Sequence, residues 1–205
     1  MNRVAIVDYG LCNIDSVARA VEECGGKATI TSSPDDLPDA DRIILPGVGA
    51  FPDAMANLRA RGLDVSLHEQ VVDQKAPFLG ICLGMQLLAS TGEEVVATDG
   101  LDLISARVER LRPTEDDPRI PHMGWNEVHP TGDSLLFDGI DPGTDFYFVH
   151  SFHMVCAADA AVAATTPYCG GFVSAVNAGN IFGVQFHPEK SQEAGFKLLR
   201  NFLAA

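Results

Sequence analysis

Pro77-Phe78-Leu79-Gly80-Ile81-Cys82-Leu83-Gly84-Met85-Gln86 is the stretch that decides the fold. Four apolar or small residues follow a proline and read as a buried strand, 78–81. One residue turns, and the pattern from Leu83 to residue 90 reads as a helix. Glycines two positions either side of Cys82 allow a strand and a helix to approach closely, as in the nucleophile elbow, with Cys in place of Ser. Such a turn lifts the thiol above the strand end and aims it at the following helix N-terminus, whose free N–H groups favour an anion. The thiolate is the reactive form of cysteine, so both effects point to a nucleophile. A packed cysteine at an ordinary turn is the competing reading, and the paired glycines weigh against it.

Outward from this stretch the chain alternates strands and helices. Residues 4–8, 28–31 and 42–45 read as strands. A helix capped by Asn13 or Asp15 runs to Cys24 and stops at Gly25-Gly26, and helical segments fill 52–73. Near-continuous apolar strands of this kind predict a parallel sheet covered on both faces. The second half predicts further strands at 107–111, 126–129, 146–150, 162–166, 172–176 and 181–185, with turns marked by Gly, Pro, Asn and Asp. Residues 192–203 close the chain as an amphipathic helix, and 113–119 form a polar surface loop.

A nucleophilic cysteine needs a base and a group to orient it. Gly183-Val184-Gln185-Phe186-His187-Pro188-Glu189-Lys190 supplies both. His187 follows a strand, Pro188 sets the chain direction, and Glu189 is placed to hold one ring nitrogen while the other faces Cys82. A lone histidine is ordinarily a solvated or satisfied one; the nearby acid and the matching elbow reverse that preference. A third element is Pro46-Gly47-Val48-Gly49, where two glycines leave backbone N–H groups free to meet an oxyanion. Leu83 N–H is the natural second donor.

Composition narrows the class. The 205 residues suit one domain, 1–205, with 46% hydrophobic residues to fill its core. There are 14 basic and 28 acidic side chains, a formal charge of −14, and no basic cluster, which argues against a nucleic-acid partner. No run of eighteen apolar residues spans a membrane, and residues 1–8 lack a signal-peptide layout, so a cytoplasmic location is expected. The five cysteines are odd in number and form no CxxC pair, against a disulfide framework or zinc ribbon. No metal site is expected.

With these motifs in view, the chain resembles the class I, triad-type glutamine amidotransferases, and within them the glutaminase subunits of imidazole glycerol phosphate synthase. The marks are Asp8-Tyr9-Gly10, Pro46-Gly47-Val48-Gly49-Ala50-Phe51, the cysteine and histidine motifs, Pro121-His122-Met123-Gly124-Trp125-Asn126 and Tyr147-Phe148-Val149-His150-Ser151. The resemblance covers the whole chain. It implies a three-layer, flavodoxin-like α/β fold with a central, mostly parallel mixed sheet and flanking helices. It also implies the triad Cys82, His187 and Glu189, an oxyanion strand at Gly47, Val48 and Gly49, and L-glutamine contacts from Gly84, Gln86, Glu94, His150, Ser151 and Phe152. It implies thioester hydrolysis without a cofactor and a heterodimer with a (β/α)₈ barrel cyclase that receives the ammonia. The loop containing Pro121, His122, Met123, Gly124 and Trp125, together with Asn13 and Lys190, would meet that partner. The chain departs from the family at Cys12, where Gly is usual, and at Phe152, where Tyr is common. With His153, Cys12 keeps open an alternative acceptor, a sugar amidotransferase of cell-surface polysaccharide synthesis. A cysteine peptidase would lack Gln86, and an inactive scaffold would have no need of the triad.

Overall fold

The computed structural model describes residues 2–205. It has thirteen strands and five α-helices among these residues. The first half runs β1 (Arg3–Val7), α1 (Ile14–Glu23), β2 (Lys27–Thr31), β3 (Arg42–Gly47), α2 (Phe51–Ala60), α3 (Leu63–His68), β4 (Phe78–Cys82) and α4 (Leu83–Gln86). The second runs β5 (Ala89–Gly92), β6 (Thr98–Asp99), β7 (Ile104–Arg110), β8 (His122–Pro130), β9 (Thr144–His150), β10 (Phe152–Cys156), β11 (Val162–Thr166), β12 (Phe172–Ala178), β13 (Ile181–Val184) and α5 (Gln192–Ala204).

Nine strands make the main sheet, in the order β2-β1-β3-β4-β13-β12-β11-β8-β9. The five strands from β2 to β13 are parallel, and the pairings from β13 through β9 are antiparallel. Alternation along each parallel strand explains the layers. Val4 and Ile6 of β1, Ile44 of β3, and Leu79 and Ile81 of β4 face α1 and α5, meeting Val17, Val21, Leu198 and Phe202. Ala5, Val7, Ile43, Leu45 and Phe78 face the other way, onto α2, α3 and α4 with Phe51, Met55, Leu58 and Leu67. Both faces of β1, β3 and β4 are therefore dry, which is why they read as unbroken apolar runs. The expected class I amidotransferase-like α/β architecture is present.

The structure differs from the sequence reading in three places. First, the helix expected over 83–90 ends after one turn. The carbonyls of Leu87, Leu88, Ala89 and Ser90 accept backbone N–H groups from residues 100–104 instead of continuing the helix. Residues 89–92 become β5, part of a second sheet, β10-β7-β5-β6, that sequence patterning did not reveal. Second, residues 122–125 are not part of a loop but the start of β8, paired with β9 from His122↔His150 to Val128↔Thr144. Third, Asn13 occupies the N-cap position of α1, but its side chain caps no backbone N–H and accepts from Ser16 Oγ at 3.4 Å. None of the described helices is long and apolar enough to cross a membrane.

Candidate active site

Cys82 sits at the seam of β4 and α4 with φ 55° and ψ −110°, a left-handed backbone that a non-glycine residue adopts only when its surroundings impose it. Those surroundings are the two glycines. A Cβ on Gly80 would lie 2.6 Å from Gly84 O, and one on Gly84 would lie 1.8 Å from Leu45 O. The α4 turn is thus pressed directly onto β3 and β4. Because α4 has only four residues, its macrodipole is short, and the anion preference rests on local N–H groups more than the longer expected helix would have supplied. Leu83 is the first residue of that turn, so its N–H has no intrahelical acceptor.

His187 follows β13, which pairs in parallel with β4 through Val184↔Ile81. The next residues form a 3₁₀ turn, Pro188–Lys190, that brings Glu189 back to its own histidine. Glu189 Oε1 lies 2.8 Å from His187 Nδ1, and both side chains are almost fully buried, 2% and 3% exposed. The carboxylate only accepts, so Nδ1 carries the proton. Nε2 meets no hydrogen-bond partner. Ser191 holds the turn in place: its Oγ donates to His187 O at 2.6 Å and accepts from Tyr147 N at 3.0 Å. Burial opposes the charged imidazolium, but the Cys82 sulfur and the Glu189 carboxylate outweigh it and push His187 up to about 10. The site favours the charged imidazolium of His187 beside the Cys82 sulfur.

Gln185 was read from sequence only as the end of a strand, yet it touches the sulfur. Its side chain is fully buried, and its Nε2 donates to Cys82 Sγ at 3.7 Å. Its Oε1 accepts from Gln86 Nε2 at 3.0 Å, and Gln86 also donates to Phe152 O at 2.9 Å. The sequence signal was a polar residue ending an apolar strand two positions before His187.

Phe152 O is a junction. It also accepts from His150 Nδ1 at 2.8 Å. His150 Nε2 is therefore an acceptor, facing His122 Nδ1 at 3.0 Å, and His122 Nε2 accepts from Asn126 Nδ2 at 3.1 Å. Burial keeps both rings neutral, lowering His122 to about 4 and His150 to about 3. His122 is 3% exposed and stacks on Tyr168, so it faces inward and not toward a partner. Met123, at 63%, and Trp125, at 48%, project from the opposite face of β8. There Trp125 meets Tyr147, whose ring lies under Lys190 Nζ.

These elements enclose a cavity of about 310 Å³ lined by Val48, Gly49, Cys82, Leu83, Gln86, Glu94, Pro121, Val149, His150, Ser151 and Phe152. Most of the expected glutamine-contacting residues are brought together there. Glu94 reaches it while accepting Phe51 N at 2.8 Å. Gly84 does not line it and serves as a packing residue against Leu45. The oxyanion strand differs from expectation in one bond: Val48 N–H is not free but donates to Leu11 O at 2.8 Å. His153 turns away toward Glu109, 4.0 Å off.

A sheet of this order, with a strained cysteine elbow facing a buried His–Glu pair, defines an amidotransferase of the class I type. The family model for class-I glutamine amidotransferase matches residues 5–205, and the chain belongs to that family. It is 47% identical over 202 residues to imidazole glycerol phosphate synthase subunit HisH of Moorella thermoacetica, covering 98% of this chain and 94% of that one. It is also 47% identical to subunit HisH 1 of Campylobacter jejuni, covering 98% of each. Among solved structures, it aligns with a crystal structure of glutamine amidotransferase at a TM-score of 0.77 and 18% identity, covering 98% and 97%. It aligns with a chain of PurLQS from Thermotoga maritima at 0.77 and 19%, covering 100% and 99%.

Proposed function

We propose that residues 1–205 form a single cytoplasmic glutaminase unit. It hydrolyses L-glutamine to glutamate and ammonia and delivers the ammonia to a (β/α)₈ barrel cyclase for imidazole glycerol phosphate synthesis in histidine biosynthesis. The observation that carries the reading is the cysteine elbow beside the buried His187–Glu189 pair, in a cavity that also holds Gln86 and Glu94. The names of the relatives support the pathway.

In this mechanism Cys82 Sγ attacks the side-chain carboxamide carbon of glutamine, and its proton resides on His187 Nε2. Glu189 holds the ring by Nδ1 and balances the imidazolium charge. His187 returns the proton to the departing nitrogen, and the C–N bond breaks to release ammonia. His187 then takes a proton from water, which cleaves the thioester and frees glutamate and the thiol. Gln185 steadies the thiolate by donating to it. Gln86 and Glu94 read the charged end of the amino acid. The oxyanion of each tetrahedral intermediate is met by Leu83 N–H and by Val48 N–H.

The second donor gates the reaction. Val48 N–H is held by Leu11 O, so the Gly47–Val48 peptide must rotate before it faces the cavity. One oxyanion donor is worth about 10²–10³ in rate, enough for a switch. The partner drives rotation if it binds the rotated form more tightly. Met123, Trp125, Lys190 and Asn13 are exposed and would meet it. The test is glutaminase turnover by the isolated chain, with the cyclase, and with the cyclase holding its nucleotide substrate. We expect stimulation by orders of magnitude in the last case and none in Cys82→Ala. Turnover by Cys82→Ala near the wild-type rate removes the nucleophile. Full activity in the isolated chain removes the gate.

A further inference from the structure

Tyr9 follows β1 with 0% of its surface exposed, and its hydroxyl has no hydrogen-bond partner. Buried hydroxyls nearly always find one, so an unpaired one calls for an explanation. Its position supplies the first clue. A Cβ on Gly47 would lie 2.1 Å from Tyr9 Oη, 3.0 Å from Leu83 Cβ and 3.2 Å from Gly84 N. The hydroxyl therefore rests on the Gly47 Cα, beside the elbow turn and at the first peptide of the oxyanion strand.

The second clue is covalent. Gly47 C=O and Val48 N–H belong to one planar peptide. A rotation that withdraws the N–H from Leu11 O and turns it into the cavity turns the carbonyl the opposite way, toward the 9–11 segment. There it meets the Leu11 carbonyl, another acceptor, and requires a donor. Tyr9, Thr166 and Ser174 carry the buried unpaired hydroxyls among the described residues, and Tyr9 is the one packed on Gly47.

We propose that Tyr9 is a positioning residue whose hydroxyl receives the Gly47 carbonyl in the active orientation of the Gly47–Val48 peptide. This rests on the gated oxyanion strand described above. The hydroxyl is unsatisfied at rest and satisfied in the active state, so it biases the peptide toward rotation without touching glutamine. Burial, and the Cys12 and Cys82 sulfurs nearby, push its pKa well above the usual tyrosine value, so it remains a donor at neutral pH.

Tyr9→Phe tests this beside wild type, through three measurements. They are the Tm of the isolated chain, the rate of Cys82 alkylation by iodoacetamide read on its peptide by mass spectrometry, and glutaminase kcat and KM with saturating nucleotide-loaded cyclase. Alkylation needs the thiolate but no oxyanion donor. We expect Tm equal or higher, because a buried unpaired hydroxyl is removed, and unchanged alkylation. We expect stimulated kcat lower by about 5- to 100-fold with KM for glutamine unchanged, the cost of one buried carbonyl left unpaired in the active state. A stimulated kcat equal to wild type overturns the role of Tyr9 while the gate stands. A lower Tm with altered alkylation overturns it in favour of a packing role. A wild-type chain equally fast with and without loaded cyclase removes the gate and the role together.

Discussion

Gly84→Ala changes one methyl group and should abolish the site. The added Cβ would lie 1.8 Å from Leu45 O and 2.8 Å from Leu45 C, both backbone atoms of β3. Real Cβ atoms essentially never approach closer than 3.0 Å, so the α4 turn and β3 must separate by about 1.2 Å to admit it. Neither side yields easily. Leu45 is fully buried and β3 is hydrogen-bonded to β1 and β4 on its two edges. The turn gives instead, and it carries Leu83 N–H and the Cys82 backbone with it. Overpacking of this kind costs about 1–3 kcal/mol of stability. A displacement of about 1 Å at reacting atoms costs about 10²-fold in rate, and loss of the Leu83 donor adds up to a comparable factor. We expect partner-stimulated glutaminase kcat to fall at least about 10²-fold, with Tm lowered by several degrees. The assay is coupled glutamate release with saturating loaded cyclase, beside circular-dichroism melting. Gly132→Ala serves as the control, because an added Cβ there meets nothing within 4 Å. Wild-type kcat in Gly84→Ala refutes the argument that backbone contact between Gly84 and Leu45 sets the elbow.

Three further outcomes follow from the same geometry. Glu189→Gln should lose less kcat than His187→Ala, since an amide oxygen still accepts from Nδ1 while no neighbour replaces the base; equal losses in a side-by-side assay count against an orienting role. The same variant should alter the pH dependence of stability. His187 is raised from 6.5 to about 10, so its stabilising charge is fully present below about pH 6.5 and is lost as pH rises through about 10. The stability gap between wild type and Glu189→Gln should therefore narrow from pH 6.5 toward 10 in urea titrations, and a gap that widens contradicts the ion-pair reading. Gln185→Leu removes the amide that donates to Cys82 Sγ, a bond worth about 10-fold or more when its acceptor is charged; slower alkylation of Cys82 at neutral pH is expected, and an unchanged rate shows that the amide does not steady the thiolate.

What the chain disclosed before its structure was seen depended on how local each feature is. The elbow was legible because Gly80 and Gly84 are required by contacts within a few residues and with the adjoining strand. The His187–Glu189 pair was legible because one 3₁₀ turn joins the two. Buried parallel strands announced themselves by unbroken apolar runs. The early end of α4 was not legible, because it is caused by backbone donors from residues 100–104 that local propensity does not see. The second sheet escaped for a similar reason: β5 and β6 have four and two residues, too few for alternation to show. Residues 122–125 are a loop only by what the resemblance implies, whereas pairing with β9 makes them a strand. That pairing also puts His122 and Met123 on opposite faces, a distinction the resemblance does not make when it assigns Pro121 to Trp125 together to the partner surface.

The two halves of the main sheet divide the proposed chemistry between them. The parallel half offers strand ends, and β3 and β4 place Gly47 opposite Cys82, so nucleophile and oxyanion strand are neighbours by register alone. The antiparallel half contributes a route from the surface. β8 and β9 expose Met123 and Trp125 on one face, beside the half-buried Tyr147 under Lys190, and bury His122, Phe148 and His150 on the other. On that inner face, hydrogen bonds run in one direction from Asn126 through His122 and His150 to Phe152 O, where Gln86 also donates. Gln86 in turn donates to Gln185, which donates to the sulfur. Each link is forced: a carbonyl only accepts, so His150 must offer Nδ1–H, and each neutral ring then has one remaining nitrogen for its neighbour. Protonating either ring would put two donors face to face, and burial keeps both neutral down to about pH 4. The arrangement is therefore a rigid wall across the neutral range. Under the proposed gating, the change is therefore confined to the Gly47–Val48 peptide, which Gly49 follows at φ +109°.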